Sequence, residues 1–367
     1  MIVIFSGYNQ RAVIAFLRTL VNNNIDQYVI IASGDSDTIF QTIYKKKVVY
    51  TRKKKQLDII EICTALDLIR NKMVAATLFL IPSTEALNRF FLKNNQIFER
   101  YGCIIPLVNE ELYIKISDKK SFWNICNNHN ITVPSEINIE TEYQIPMVAK
   151  PKTYYAANGH TYSPILIQSQ QDFEDFINTY EKNDFTFQEF VNGESYYLLY
   201  YFAKNGKVFC LSQKNLAQQP GGKSIIAACC SNLHKDMNLR NQYETLLHNL
   251  GFHGLIMIEL RKNYNQYYMI EANPRLWGPS QLFCDCGYNF FELLLKDYGF
   301  LNKVPSLNIN WKSVYLWSGG AKGNFENSDF CIWHVGGRDF FNQHQKEFLK
   351  ADIYNRMDSK DIFYSEY

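Results

Sequence analysis

The stretch MIEANPRLWGPS, residues 269–280, sets Glu271, Asn273 and Arg275 at two-residue intervals. On a β-strand such residues share one face, so a carboxylate, an amide and a guanidinium project together. Upstream, LIMIEL and YYMIEA flank the polar turn KNYN, the pattern of an antiparallel hairpin. A turn centred near Tyr264 sets Glu259 opposite Met269 and Glu271 opposite Met257. The two acids are then diagonal neighbours, about 7–8 Å apart between backbones. Two carboxylates and an amide oxygen without a basic partner repel one another in a half-buried place unless a cation lies between them. Mg2+, or Mn2+ in its stead, fits: magnesium takes oxygen ligands and is commonly held by one or two carboxylates together with nucleotide phosphates. The alternative is an exposed hairpin face with unrelated charges.

Such a hairpin needs a scaffold, and the chain offers one. The opening MIVIFSGYNQRAVIAFLRTLVNN passes from an apolar strand to an amphipathic helix, and YVIIAS at 28–33 supplies a second strand. With VVY near 48, TLFLIP near 80 and a helix at 84–95, the first hundred residues predict a small Rossmann-like parallel sheet covered by helices. A dinucleotide fingerprint needs GxGxxG after the first strand, and only Gly7 stands there. Beyond it come a helix capped by Ser117 or Asp118 and ending before Pro134, the strand MVAKP, the strand ILIQ and the helix QQDFEDFINTY. The strand-rich run from 185 to 215 carries hairpin-like turns at Asn192-Gly193 and Asn205-Gly206. The residues after 300 are irregular in pattern.

Composition bounds the function. A chain of 367 residues with 47% apolar and 20% charged residues is a multidomain globular protein, and aromatics are frequent, with 26 Phe and 25 Tyr. A net charge of +2 gives no general case for nucleic acid. The basic run KKKVVYTRKKK at 45–55 reads first as the solvated ends of a short strand, and second as a seat for an anionic partner. No cysteine pair has zinc or redox spacing and no signal peptide is recognisable, so reduced thiols in the cytoplasm are the simplest account. The most apolar run, 73–82, is too short to span a bilayer.

EANPR with an acid upstream resembles the metal-binding hairpin of the ATP-grasp superfamily, in its biotin carboxylase and carbamoyl phosphate synthetase branch. The resemblance covers about 110–295 and implies a fold of two α+β subdomains clasping ATP. The chain then divides into an α/β domain at 1–108, the ATP-grasp domain at 109–300 with its lid at about 119–191, and a C-terminal extension at 301–367 packing on it. Metal falls to Glu259, Glu271 and Asn273. Lys119 and Lys150 resemble the phosphate-contacting lysines, and Gln188, Glu189, Phe190 and Val191 the linker along the adenine, with Glu194 at the ribose. Arg275, with Lys150, takes the catalytic role, meeting charge on the transferred phosphoryl group.

The implied activity is an ADP-forming carboxylate–amine ligase working through an acyl phosphate, on small carboxylates and amines, sugar-linked or anionic ones included. Alternatives are a nucleotide-binding protein without turnover and a phosphotransferase that stops at the phosphorylated acceptor. Relatives are often homodimers. In QQPGGKSIIAA, Ala217 stands where a P-loop needs its first glycine. Gly221 and Gly222, with Lys223, read instead either as a simple turn or as a close backbone approach to the acceptor substrate, to which Trp277 and Gly278 are also assigned. The lid loop after Lys150 has only Gly159, where relatives are often glycine-rich. His160, His234 and His253 lack partners at metal-ligand spacing, and the Cys284–Cys286 segment reads as packing.

Overall fold

The computed structural model describes residues 1–141, 144–303 and 309–366. Its first sheet is parallel: β1 (Ile2–Phe5), β2 (Tyr28–Ala32), β3 (Val48–Thr51), β4 (Leu78–Ile81) and β5 (Cys103–Ile104), in the order β3-β2-β1-β4-β5. Its central strands are apolar throughout because both faces are covered. Ile2 and Ile4 pack under α1 (Gln10–Asn22), while Val3 and Phe5 pack on α2 (Ile59–Met73), α3 (Glu85–Lys93) and α4 (Asn95–Arg100). Strand order reverses at β1, so the loops after β1 and β4 part there and open a crevice at the strands' carboxyl ends. Helix α3 starts at that crevice, capped by the Thr84 side chain on the amide of Leu87.

Two further helices, α5 (Glu110–Ser117) and α6 (Lys119–Asn128), lead to a four-stranded antiparallel sheet. This is β6 (Glu136–Ile137), β7 (Met147–Pro151), β8 (Ile165–Ile167) and β9 (Phe185–Glu189), in the order β6-β9-β7-β8. Ile137, Met147, Ala149, Ile167, Phe185 and Phe187 form one face, packed with Phe176 of α7 (Gln170–Thr179). The two-residue period sends Glu136, Val148, Lys150, Thr186 and Gln188 to the other.

The largest sheet comprises β10 (Glu194–Phe202), β11 (Val208–Gln218), β12 (Ile225–Ser231), β13 (Gly254–Asn263), β14 (Gln266–Asn273), β15 (Val314–Leu316) and β16 (Ile332–Trp333). Its order is β14-β13-β10-β11-β12-β15, with β16 added to β11. Leu198, Tyr200, Ile256 and Ile258 pack on α8 (Met237–Asn249). The opposite face packs Leu199, Leu211 and Met257 against the α1 side of the first sheet, and also carries Tyr197 and Glu259.

Two expectations change. Asn205-Gly206 does join β10 to β11, but Asn192-Gly193 is no hairpin: it carries the chain from the four-stranded sheet to the largest one. A Cβ on Gly193 would lie 1.9 Å from the Lys262 carbonyl oxygen, so glycine there serves close approach of two backbones. The tail, irregular in sequence, supplies β15 and β16 as edge strands of the largest sheet. Among the described residues, no helix is long and apolar enough to cross a membrane.

Candidate functional site

The hairpin turn falls at Tyr264, as its sequence predicts, but its register differs from the expected one. From Asn263↔Gln266 to Leu260↔Met269 the pairing is regular; then Ile270 is left out of the ladder and Glu259 pairs with Glu271. A β-bulge of one residue therefore turns a diagonal relation into a directly opposed one. It also exposes the Ile270 carbonyl, which accepts from Lys150 Nζ at 2.9 Å.

The acids are not without basic partners, which corrects the premise of an uncompensated cluster. Lys119 Nζ donates to Glu271 Oε2 at 2.6 Å, and Arg261 Nη2 lies 3.3 Å from Glu259 Oε1. Glu271, Asn273 and Arg275 form a chain: Asn273 Nδ2 donates to Glu271 Oε1 at 2.7 Å, and Arg275 Nη2 donates to Asn273 Oδ1 at 3.0 Å. Electrostatics separate the two carboxyls. Burial raises Glu259, and the charge of Glu271 adds to it against Arg261 and the lysines. For Glu271 burial acts in the same sense but is outweighed by Lys119, Asn273 and Arg275, which hold its carboxyl low. Lys150 is pushed down to about 8 by burial, with Lys119 adding to it.

This donor set fits a hard divalent cation. Two opposed carboxylates, one of them poorly compensated, hold negative charge in a buried place, and magnesium completes its shell with phosphate and water. Among the described residues no three His, Cys, Asp or Glu side chains cluster around one point, and the side-chain oxygen nearest the two acids along this strand is that of the Asn273 amide. That oxygen faces Arg275 here, and ligation needs the amide to turn.

A model of the ATP-grasp domain family matches residues 116–279, the segment from the end of α5 through this hairpin. Residues 116–279 of this chain thus carry an ATP-grasp domain. The fold agrees with solved ATP-grasp structures. A biotin carboxylase from Campylobacter jejuni, complexed with β,γ-ATP, superposes with a TM-score of 0.62 at 13% identity, over 84% of this chain and 73% of that one. An N5-carboxyaminoimidazole ribonucleotide synthetase in its ADP complex gives 0.63 at 13%, over 88% and 83%. The biotin carboxylase domain of the Hydrogenobacter thermophilus 2-oxoglutarate carboxylase, a dimer with MgADP and bicarbonate, gives 0.63 at 11%, over 85% and 73%. No curated protein matches the chain in sequence.

The 188–194 segment, expected from its sequence as the linker, enters beside these groups. Gln188 and Lys150 lie on the same face of the four-stranded sheet, and Gln188 Oε1 is buried without a partner. Glu189 accepts from the amide of Ser135, Phe190 is exposed and Val191 is buried. Glu194 is joined to Lys214 and accepts from the Tyr196 hydroxyl. The candidate acceptor residues divide. Gly221, Gly222 and Lys223 are exposed in the β11–β12 connection, both glycines with positive φ. Trp277 departs from its assignment: its indole is 2% exposed and packs on Phe283 and Phe290, a core position. Gly278 instead makes room for the Arg11 guanidinium.

Sequence reasoning missed Arg261, Glu85 and Arg89. Arg261 was findable, since its two-residue spacing from Glu259 puts both on one face. Glu85 comes 3.6 Å from Arg275 Nε across a long stretch of chain, and no local pattern announces that. In the basic run, Arg52 is buried, binding the Tyr8 hydroxyl and the carbonyls of Lys54 and Gln56, so it is structural.

Proposed function

We propose that this protein is an ATP-dependent, ADP-forming carboxylate–amine ligase. The observation that carries the reading is the convergence of Lys119, Lys150, Glu259, Glu271, Asn273 and Arg275 from a helix, a strand of one sheet and a hairpin of another. Paired with one another, these groups are a preassembled set of charges for a triphosphate. The phosphates would exchange for Glu271 as the partner of Lys119, and for the Ile270 carbonyl as the partner of Lys150. The buried lysine then regains a counter-charge. Glu259, Glu271 and a turned Asn273 would hold a divalent cation, which would supply charge neutralisation at the phosphate oxygens.

Gln188 to Val191 run along the adenine, with the unpartnered Gln188 oxygen available to its amine, and Glu194 meets the ribose. Arg275, beside the acids and aimed through Asn273, stabilises charge on the transferring phosphoryl group. A substrate carboxylate oxygen attacks the γ-phosphorus and ADP leaves. An amine then attacks the acyl carbon and phosphate departs, so one difficult substitution becomes two easier ones. Gly221, Gly222 and Lys223 border the acceptor, which is a small, anionic or sugar-linked molecule.

The test is nucleotide chromatography after incubation with Mg·ATP and a pool of amino acids, small carboxylic acids and amino sugars. ADP formed only with the pool is the expected result. AMP, or ATP left intact by every pool, overturns the reading.

A further inference from the structure

Glu85 and Arg89, one turn apart on α3 of the first sheet's layer, reach both Arg275 and the segment that leads into Lys119. Glu85 accepts from the Tyr113 hydroxyl at 2.8 Å and lies 3.6 Å from Arg275 Nε, whose buried nitrogen has no hydrogen bond. Arg89 Nε donates to the other Glu85 oxygen at 2.7 Å. Its Nη2 donates to Ser117 at 2.7 Å and to Asp118 at 2.5 Å, immediately before Lys119. The free face of the Arg89 guanidinium is covered by Tyr154, 4.7 Å from the ring centre. Tyr154 belongs to the loop that follows Lys150, and burial raises its phenol, with Tyr155 and Glu85 adding to this against Arg89 and Arg275. A continuous path thus runs Tyr154–Arg89–Glu85–Arg275–Asn273–Glu271.

We propose that α3 couples the position of the 152–160 loop to Arg275: Arg89 is the seat on which Tyr154 closes, and Glu85 is the positioning residue that holds Arg275. An aromatic closure suits this loop, which has only Gly159 and so lacks a run of glycine amides for cradling phosphate. The tyrosine ring shields the guanidinium from water on the side where a phosphoryl group meets Arg275. That consequence rests on the role assigned to Arg275; the contact itself is tested without turnover.

The experiment is hydrogen exchange on the full-length protein without nucleotide, following the loop amides of Ala156 and Gly159, both hydrogen-bonded within the loop. Tyr154→Ala and Arg89→Gln each accelerate loop exchange about two- to fivefold, the size expected for a half-buried cation–π contact. Tyr154→Phe, which keeps the ring, leaves it at the wild-type rate. Glu85→Gln, which leaves Tyr154 and Arg89 in place, also accelerates it, while the buried amides of α3 keep their protection. Wild-type loop amides already exchanging at the unprotected rate overturn the proposal, as does equal acceleration by Tyr154→Phe. Acceleration spread over the whole of α3 in Glu85→Gln marks a merely structural glutamate and overturns it too. All these outcomes are independent of whether the protein forms ADP with any acceptor.

Discussion

Glu259 and Glu271 face each other directly across β13 and β14 because Ile270 is left out of the ladder. One extra residue thus performs two tasks. It brings the carboxyls into opposition, and it turns a backbone carbonyl toward Lys150, whose amine would otherwise be buried without an acceptor. The arrangement is unfavourable by itself, since burial and the neighbouring carboxylate both raise Glu259. Sites that bind cations keep such unfavourable charge when the cation is absent.

Glu259→Gln therefore keeps the fold stable, within about 1 kcal/mol of the parent or above it, because it removes a poorly compensated buried charge. Mg2+-dependent nucleotide binding falls in the same variant. Arg275→Ala leaves binding nearly intact and lowers turnover by a factor on the order of 10² to 10³. Thermal unfolding and calorimetry with Mg·ADP check the first pair of effects, and ADP release checks the last. A Glu259→Gln protein that binds Mg·ADP as the parent does removes the metal role.

Lys150 sets a pH signature. Its amine is held near 8 against an ordinary 10.5, with burial as the first cause. A lowered lysine costs stability in full below about pH 8; between about 8 and 10.5 the unfolded chain binds more protons, so stability rises with pH. Nucleotide phosphates beside the amine reverse the shift. Binding of Mg·ADP at pH 8.5 should take up about three-quarters of a proton, read by calorimetry in buffers of different ionisation enthalpy, with Lys150→Met abolishing the uptake. Equal uptake in both proteins separates Lys150 from the phosphates.

The parts of this site that lie on strands were legible in the sequence, because a period of two is a local property. Glu271, Asn273 and Arg275 follow from spacing alone, and Glu259 from the hairpin around KNYN. The bulge was not legible: nothing in YYMIEA distinguishes Ile270 from a regular strand residue, and the Lys150 amine that its carbonyl meets comes from another sheet. For the same reason Glu85 escaped notice, and Trp277, two residues after Arg275, was expected at the acceptor substrate although its ring fills the core. The parallel first sheet was evident from its unbroken apolar runs. The tail's strands were not, since β15 and β16 are short edge strands fixed by their neighbours, not by their own pattern.

Gly193 carries a steric prediction. With the Lys262 carbonyl oxygen 1.9 Å from where a Cβ would stand, Gly193→Ala must separate the linker from β13. The expected cost is about 1–3 kcal/mol, seen as a lower denaturation midpoint. Adenine-dependent affinity should fall more than affinity for triphosphate alone, because Gln188 to Val191 shift while Lys119 stays on α6. Competition between ATP and inorganic triphosphate separates the two contributions. An unchanged ratio means that the linker does not touch the base.

Arg11 ties three segments together beside Gly278. Its guanidinium donates to Ser224 Oγ at 2.8 Å and to the Ile225 carbonyl at 3.1 Å, stacks 3.8 Å above the Trp317 ring, and lies where a Gly278 Cβ would come within 2.8 Å. Gly278→Ala therefore pushes Arg11 away from Ser224 and frees the neighbouring 219–223 loop. If Gly221, Gly222 and Lys223 border the acceptor, KM for the acceptor should rise about tenfold, the equivalent of 1.4 kcal/mol, with KM for ATP little changed. Arg11→Lys should give the same asymmetry, since lysine lacks the planar fork that reaches both Ser224 and Ile225. A rise confined to ATP in either variant moves the acceptor away from the loop and leaves Arg11 as a structural joint between α1, the loop and the tail.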